Sequence, residues 1–460
     1  MKNLKIFFTL ILLLSCVFFD AYGAELQKPE FDKTLYLNQA WWAKYNDTNL
    51  TKYIEDAYRN NQDLKIAALN TKQSQEIVRQ AFANQLPQLG FYPDISRTFR
   101  SSNINHGSLI IPDYKQSNFM LPLSMTYEAD IWGRNFLKTK SLKKQAEIVQ
   151  ENERSTYISL TSQIAADYFN LIKTDKIISE QKELIRLQKQ IVKKVGIKYE
   201  NGLCPITELW DEKQYLTQLQ EIQELYKNTQ KILENQLITL LGNRNRTEIQ
   251  RGNYENILLP EIPDAIGAEI IQNRPDLIKA EKYIQKLGID VRVARRDFLP
   301  KFNLYGEVGF NAYTLGNIFG NNTFRALGGV LPSVDIFTGG AKMSVLRYTK
   351  LEYDKAQQMY EKTILTSIQE VNDSLQTAKT AKKNYELSKE HRQLEQRKFA
   401  LTSKRNTIGA MSDLDVLREK ENLIASEISE VSNHIDCLVS TVSLYKSVGG
   451  TDYMNFSEKL

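Results

Sequence analysis

The chain has 460 residues, of which 42% are hydrophobic and 25% are charged, which is enough for a substantial folded core. Its 60 basic and 55 acidic residues are mixed along the sequence, so the formal net charge of +5 is not concentrated in any stripe. This pattern argues against a nucleic-acid partner, which would require a concentrated positive surface.

The N-terminal segment has the pattern of a secretory signal. Basic residues reach Lys5, an apolar run follows from Ile6 to Phe19, and small residues end the segment. The apolar run has about 14 residues, fewer than the ~20 that span a bilayer as a helix. We therefore predict that the chain is exported and that residues 1–23 are removed after Gly23.

The same segment contains a second feature, Leu13–Cys16, that resembles a bacterial lipobox. Cleavage before Cys16 would make residues 1–15 the signal and Cys16 a lipidated N-terminus. The apolar residues Val17–Phe19 continue past Cys16, which argues against the lipobox, and cleavage after Gly23 fits about as well. Both alternatives stay open on the sequence.

Short phrases recur along the chain at a nearly constant distance. Asn61–Leu64 matches Arg274–Leu277, and Leu86-Pro87 matches Leu299-Pro300, both 213 positions later. Three glycine pairs recur 207 positions apart: Gly133 and Gly340, Gly202 and Gly409, Gly242 and Gly449. Such self-similarity indicates a tandem duplication. We predict a first repeat at residues 24–250 and a second at residues 251–460.

Three segments contain neither proline nor glycine: residues 134–195, 341–408 and 410–448. Each is predicted to form one long helix, and an uninterrupted helix of about 60 residues extends roughly 90 Å. Apolar residues recur in steps of seven, which is typical of helices that pack along a coiled-coil seam. The first row consists of Tyr157, Ile164, Leu171, Ile178, Ile185 and Val192.

Between the helices, apolar and polar residues alternate with the period of two that is typical of strands. The alternating apolar residues are Phe119, Leu121, Leu123, Met125 and Tyr127 in the first repeat, and Phe302, Leu304, Val308 and Phe310 in the second. The signal is weaker over 89–99 and 324–334, where the duplication requires strands. Each repeat is therefore predicted to contribute a hairpin, with polar loops at 103–112 and 311–322.

Four strands of about ten residues can cross a bilayer but cannot close a barrel, and an open edge in lipid leaves backbone groups unpaired. The sequence therefore predicts an α+β membrane protein that forms a homotrimer. Three chains would build a 12-stranded β-barrel continued by a long α-helical coiled-coil barrel. The competing hypothesis is a periplasmic coiled-coil scaffold with a small sheet.

Several motifs together resemble the TolC-like outer-membrane efflux protein family, particularly its NodT-type lipoprotein branch. They are Trp41-Trp42, Asp47, Asn61–Leu64, Tyr127–Arg134, Arg274–Leu277, Ala280-Glu281, Ala294-Arg295 and Phe298–Pro300. The resemblance implies a homotrimer in the outer membrane that contacts its lipid and extends into the periplasm. It also implies a periplasmic adaptor (membrane fusion) protein and an inner-membrane transporter of the RND or ABC type. Such a channel carries drugs or other small molecules outward; the alternative within the fold is the exit duct of a type I protein secretion system.

Two helix-to-helix turns are predicted at Gly202 and Gly409, each followed by an acidic residue. Glu208 and Asp415 occupy equivalent positions after these turns, and Asp415 falls where the family has an aspartate in its constriction. Six carboxylates around one aperture of a trimer would favour cations and form a periplasmic gate. The alternative is that both acids merely stabilise helix N-termini. Three residues later Arg418 stands opposite Asp211 of the first repeat, and Arg418 is expected to pair with Asp415.

The remaining motifs predict structure rather than chemistry. Gly133, Gly339 and Gly340 are expected to allow the passage from strand to helix, whereas Pro87 and Pro300 mark the passage from helix to strand. The exported chain has two distant cysteines and scattered histidines, with no catalytic or phosphate-binding motif. We predict no enzyme activity, no cofactor and no metal site.

Overall fold

The computed structural model describes residues 41–100, 114–242 and 248–450. The predicted signal at residues 1–23, with Cys16, and the predicted loop 103–112 lie outside the described residues. Within the described residues, one compact unit comprises 72–147 and 282–357, and a second comprises 41–71, 148–281 and 358–450.

The first unit contains an antiparallel sheet formed by both repeats. Its strands are β1 (Gln88–Phe91), β2 (Asp94–Arg100), β3 (Tyr114–Ala129), β4 (Lys301–Ala312) and β5 (Phe324–Ser333). Strands β1 and β2 both pair with β3, which pairs with β4, which pairs with β5. The predicted strand at 89–99 is thus divided in two, although β1 and β2 keep one continuous register against β3.

The division has a physical cause in two prolines. The interruption at Tyr92 and Pro93 lies opposite Leu121 and Pro122 of β3. Proline has no N–H to donate to a strand ladder, so two backbone hydrogen bonds are missing at neighbouring positions.

The predicted alternation of apolar residues is confirmed by the register between β3 and β4. Leu121 lies opposite Phe310, Leu123 opposite Val308, and Tyr127 opposite Leu304, so these residues share one face of the sheet. Several apolar side chains of the sheet remain exposed in the single chain, namely Phe91, Ile95, Met125, Val308, Leu327 and Val330.

Four helices, each with one end in the first unit, meet the same end of this sheet. They are α2 (Gln62–Ala83), which ends before β1; α3 (Arg134–Glu200), which begins after β3; α6 (Pro275–Arg296), which ends before β4; and α7 (Ala341–Thr407), which begins after β5. Because the strands are antiparallel, these four connections lie together.

The second unit is helical. It contains α1 (Thr48–Asn60), α4 (Ile206–Leu241), the short α5 (Ala268–Ile271), α8 (Asp413–Ser447) and the distal parts of α3 and α7. The three predicted long helices are present, but α3 continues through Gly196 to Glu200 and α8 begins at Asp413 rather than at 410. Among the described helices, none is both long and apolar enough to cross a bilayer.

Aromatic side chains form a buried cluster in the second unit. Trp42, Tyr45 and Phe169 are buried, Trp41 stacks on Tyr445 with ring centroids 5.1 Å apart, and Tyr45 pairs with Phe169 at 5.0 Å. This packing explains the Trp41-Trp42 motif as a structural anchor.

The two repeats close in the same way. The Asn61 side chain donates to the Leu240 carbonyl at 2.8 Å, and the Arg274 guanidinium donates to the Ser447 carbonyl at 2.6 Å. Leu240 and Ser447 are 207 positions apart, which is the spacing of the glycine pairs. The arginine of the Arg274–Leu277 motif therefore holds the C-terminus of α8 against the start of α6.

Candidate functional site

The two predicted helix-to-helix turns have the same backbone geometry. Gly202 and Gly409 both have positive φ, at 70° and 76°. The Leu203 N–H donates to the Lys198 carbonyl at 2.8 Å, and the equivalent Ala410 N–H donates to the Arg405 carbonyl at 2.9 Å. These Schellman motifs require a left-handed residue, which glycine adopts without strain.

Asp415 lies in a capping box at the start of α8. Its Oδ2 accepts hydrogen bonds from the Ser412 N–H at 3.0 Å and the Ser412 hydroxyl at 2.7 Å, and Ser412 Oγ accepts from the Asp415 N–H at 3.2 Å. These hydrogen bonds from Ser412 lower the pKa of Asp415. Asp415 is therefore ionised and held at the N-terminus of the helix, as the capping alternative expects.

Arg418 bridges α8 and α4 rather than pairing with Asp415. Its Nη2 lies 2.9 Å from Glu212 Oε1 and 3.8 Å from Glu208 Oε1. The expected Asp415–Arg418 pair is thus replaced, because the guanidinium is directed across to the neighbouring helix. Of the four predicted gate residues, Glu208 and Arg418 are brought together, whereas Asp211 is exposed and takes no part in this contact.

Sequence reasoning missed Glu212 and two further polar residues in the same layer. Glu212 Oε2 accepts from the fully buried Gln188 amide of α3 at 2.7 Å. Glu421 of α8 has one buried carboxylate oxygen with no hydrogen-bond partner among the described residues. Burial, together with the negative charge of Glu212, raises the pKa of Glu421 to about 7, although the positive charge of Arg418 opposes this shift.

This polar layer lies between two apolar layers of the same three helices. On the side of the turns, Ile191 and Val195 of α3 pack with Leu414 and Leu417 of α8. On the other side, residues of all three helices form a second cluster: Leu184, Ile185, Leu187, Leu219 and Ile424. A charged layer inside a helical seam specifies register, but it also makes that seam weaker than an apolar one.

A second ion pair joins the two hairpins nearer the turns. Lys194 Nζ of α3 lies 2.8 Å from Asp413 Oδ2 of α8. The hydrogen bond from Lys194 lowers the pKa of Asp413. At the turns themselves, Leu203 and Ile408 are 75% and 78% exposed, which is unusual for large apolar side chains.

The predicted junction residues lie where strands and helices meet in the first unit. Gly133, Gly339 and Gly340 all have positive φ. The Gly133 carbonyl accepts from Arg296 at 2.7 Å, and a Cβ there would lie 3.0 Å from the same guanidinium. The Pro300 carbonyl accepts from the Trp132 indole at 2.8 Å. Pro87 immediately precedes β1.

No cluster of potential metal ligands occurs in the part of the chain that the structure describes. Cys204 and Cys437 are free thiols.

The sequence matches the family model described as "Outer membrane efflux protein" over residues 53–243 and 267–450. It is 26% identical over 421 residues to the probable efflux pump outer membrane protein TtgC of Pseudomonas putida, covering 90% of this chain and 86% of that protein. It is 23% identical to the cation efflux system protein CusC of Escherichia coli, covering 90% of this chain and 89% of that protein.

Solved structures show the same fold. The CmeC outer membrane channel of Campylobacter jejuni superposes with a TM-score of 0.82 at 23% identity, covering 95% of this chain and 94% of that one. The outer membrane protein VceC of Vibrio cholerae gives a TM-score of 0.78 at 20% identity, covering 89% of this chain and 98% of that one.

Proposed function

Because the chain belongs to the outer membrane efflux protein family, whose members are the non-enzymatic outer-membrane channels of efflux pumps, we propose that it is one subunit of a trimeric passive exit duct. Its cargo is proposed to be drugs or other small molecules. The names of its relatives refer to antibiotics, toluene, pyoverdine and cations, all of which are small.

The unpaired edges of the sheet support a trimer. Among the described strands, β5 pairs only with β4, and the β1 and β2 edge pairs only with β3. In a lipid environment both edges need partners, and a second copy supplies the matching edge. Three copies would form a closed 12-stranded barrel.

Exposed apolar rows on the helices support the same assembly. Along α7 and the turn residue that follows it, four exposed residues recur in steps of seven: Leu387, Leu394, Leu401 and Ile408. On α4, exposed apolar residues are Trp210, Ile222, Leu225 and Ile232. A heptad row predicts a partner helix, and the described chain leaves these two faces without one. We assign them to contacts between protomers.

In the trimer, the turns would form the periplasmic gate. Three copies of Asp415 and Glu208 would surround one aperture and favour cations. The Arg418–Glu212 and Lys194–Asp413 pairs hold α8 against α3 and α4, so opening by movement of α8 would have to break them. The closed arrangement is therefore stabilised by ion pairs rather than by a continuous apolar seam.

The exposed turns are proposed to receive a periplasmic adaptor. Leu203 and Ile408 offer apolar contacts at the ends of both hairpins, where a partner would meet the channel. An inner-membrane transporter of the RND or ABC type would supply the energy, because the channel has none. We also propose membership in the NodT-type branch, with the signal removed either before Cys16, which would then carry lipid, or after Gly23.

The mass of the detergent-extracted protein tests the assembly. The expected result is about three times the mass of the processed chain, which is 53.1 kDa less the removed signal segment. A stable monomer under conditions that preserve the helical content would contradict the trimeric duct.

A further inference from the structure

Charge is distributed unevenly in the first unit. We define the basic band as residues 128–147, 286–301 and 333–350, which adjoin the end of the sheet where the helices begin and end. The band contains thirteen lysines and arginines but six aspartates and glutamates. By contrast, the rest of α3, residues 148–200, contains nine cations and seven anions.

The acids of the band are used in internal contacts. Glu128 and Asp297 pair with Arg134, Asp335 pairs with Lys342 at 2.9 Å, and Asp290 pairs with Lys286 at 2.9 Å. Glu147 contacts Lys144, and Asp130 accepts from the Phe136 N–H at 2.8 Å. Every negative side chain of the band is therefore engaged by a neighbour, and little negative charge remains to offset the surface cations.

Seven cations of the band are exposed and form no ion pair with another described residue. They are Lys138, Lys140 and Lys143 on α3, Arg292 and Arg295 on α6, and Arg347 and Lys350 on α7. At 1.5 Å per residue, each lies within about 14 Å of the helix end that meets the sheet. This distance from the sheet is comparable to the thickness of the lipid headgroup layer, roughly 5–8 Å, plus one Debye length, within which a cation is attracted to anionic headgroups.

Exposed apolar side chains lie between these cations and the strands. Ile131, Trp132 and Phe136 flank the start of α3, and Ile336 and Phe337, before α7, are 94% and 89% exposed. Aromatic residues at the edge of a membrane-facing segment, followed by lysine and arginine, are typical of a membrane–water interface.

Resting on the proposed function, we propose that the basic band binds the anionic headgroups of phospholipids in the leaflet that faces the periplasm. The cations are spread over three helices instead of converging on one cup, so they fit a charged lipid surface better than a single small anion. Their function is to fix the depth of the sheet in the bilayer and to enrich anionic lipid around the channel.

Quenching of Trp132 fluorescence by brominated lipids tests this inference directly. Trp41 and Trp42 are buried, so in a Trp210→Phe background Trp132 is the one exposed indole of the described residues. The purified protein is reconstituted with brominated phosphatidylglycerol or brominated phosphatidylcholine, and the relative association constant of the two lipids is measured. We expect a preference for phosphatidylglycerol of roughly fivefold or more, since one lysine near an anionic surface contributes about fivefold.

Two triple variants of α3 form a matched pair. The first variant combines Lys138→Gln, Lys140→Gln and Lys143→Gln, and its preference for phosphatidylglycerol is expected to fall severalfold. The second combines Lys182→Gln, Lys189→Gln and Lys193→Gln, which are exposed lysines outside the basic band. In this control the preference for phosphatidylglycerol is expected to persist. Equal association of both lipids with the parent protein would overturn the proposal while leaving the channel intact. Quenching by neither lipid would place Trp132 outside the bilayer, and would overturn the proposed membrane function as well.

Discussion

The guanidinium of Arg418 on α8 lies 2.9 Å from the carboxylate of Glu212 on α4, and this contact joins the two repeats of one chain near their turns. Glu212 in turn accepts from the buried Gln188 of α3, so three helices are linked through two contacts of one carboxylate. A link of this kind restrains α8 more effectively than a solvated surface pair.

Arg418→Gln is expected to raise the open probability of the channel severalfold in planar-bilayer recordings, because α8 loses its bridge to Glu208 and Glu212. Arg397→Gln is the control, since Arg397 is exposed on α7 and forms no ion pair with a described residue. An open probability that stays at the parent value in Arg418→Gln would rule out a restraining role for the bridge.

The variant Asp415→Asn distinguishes a role of Asp415 in cation selectivity at the gate from its role as a helix cap. The variant loses the charge but keeps a side-chain oxygen that can accept from Ser412, so cation selectivity should fall while thermal stability changes little. Ser412→Ala keeps the charge and removes the cap, which costs about 0.5–2 kcal/mol of stability. If Asp415→Asn leaves the reversal potential unchanged, Asp415 is a cap alone.

The raised pKa of Glu421 predicts that the stability of the folded protein depends on pH. Its folded-state pKa of about 7 exceeds the ordinary value of 4.5, so the folded chain binds more protons between these two values and loses stability as pH rises through that window. Glu421→Gln should remove this dependence and stabilise the protein above pH 7 by on the order of 1–3 kcal/mol.

The measurement is the melting temperature at pH 5 and pH 8 for the parent, Glu421→Gln and the exposed control Glu221→Gln. The parent and the control should both melt at a lower temperature at pH 8, whereas Glu421→Gln should show a smaller difference. Parallel shifts in all three proteins would show that Glu421 is not the responsible group.

The exposed row on α7 predicts a specific effect on assembly. Leu394→Glu with Leu401→Glu should reduce the trimeric fraction in size-exclusion chromatography with light scattering, because two charges would enter each apolar contact. Gln393→Glu adds a charge at a neighbouring exposed position outside the row and should leave the trimer intact. A fully trimeric double variant would exclude this face from the interface.

Arg274→Ala should destabilise the second unit strongly. The Arg274 side chain is largely buried and pairs with Asp276 and Glu370 in addition to the Ser447 carbonyl, so its loss leaves several groups unpaired. The expected cost is about 3–5 kcal/mol, compared with roughly 1–2 kcal/mol for Asn61→Ala, which removes two neutral hydrogen bonds, to the Leu240 carbonyl and from the Leu64 N–H. Chemical unfolding of both variants measures the difference, and equal losses would contradict it.

Much of this fold can be predicted from the sequence because its rules are local. The absence of proline and glycine predicted α3, α7 and α8, and alternating apolar residues predicted β3 and β4. The capping box of Asp415 is also local, since Ser412 precedes it by three residues, and it could have been recognised from that spacing.

The partner of Arg418 could not be predicted in the same way. Asp415 is nearer in sequence, but the choice of Glu212 depends on how α4 and α8 are rotated against each other, which no short motif encodes. The same holds for Glu421, whose pKa depends on burial by neighbouring helices rather than on adjacent residues. The interruption of the first strand required both Pro93 and the register that places it opposite Leu121, beside Pro122.

Planar-bilayer conductance of the purified, detergent-extracted protein shows whether the assembled chains form a channel. We expect small, cation-selective channels that are mostly closed, carried by a species of trimeric mass in the same sample. A monodisperse, folded protein that never conducts would contradict the account and favour a periplasmic scaffold.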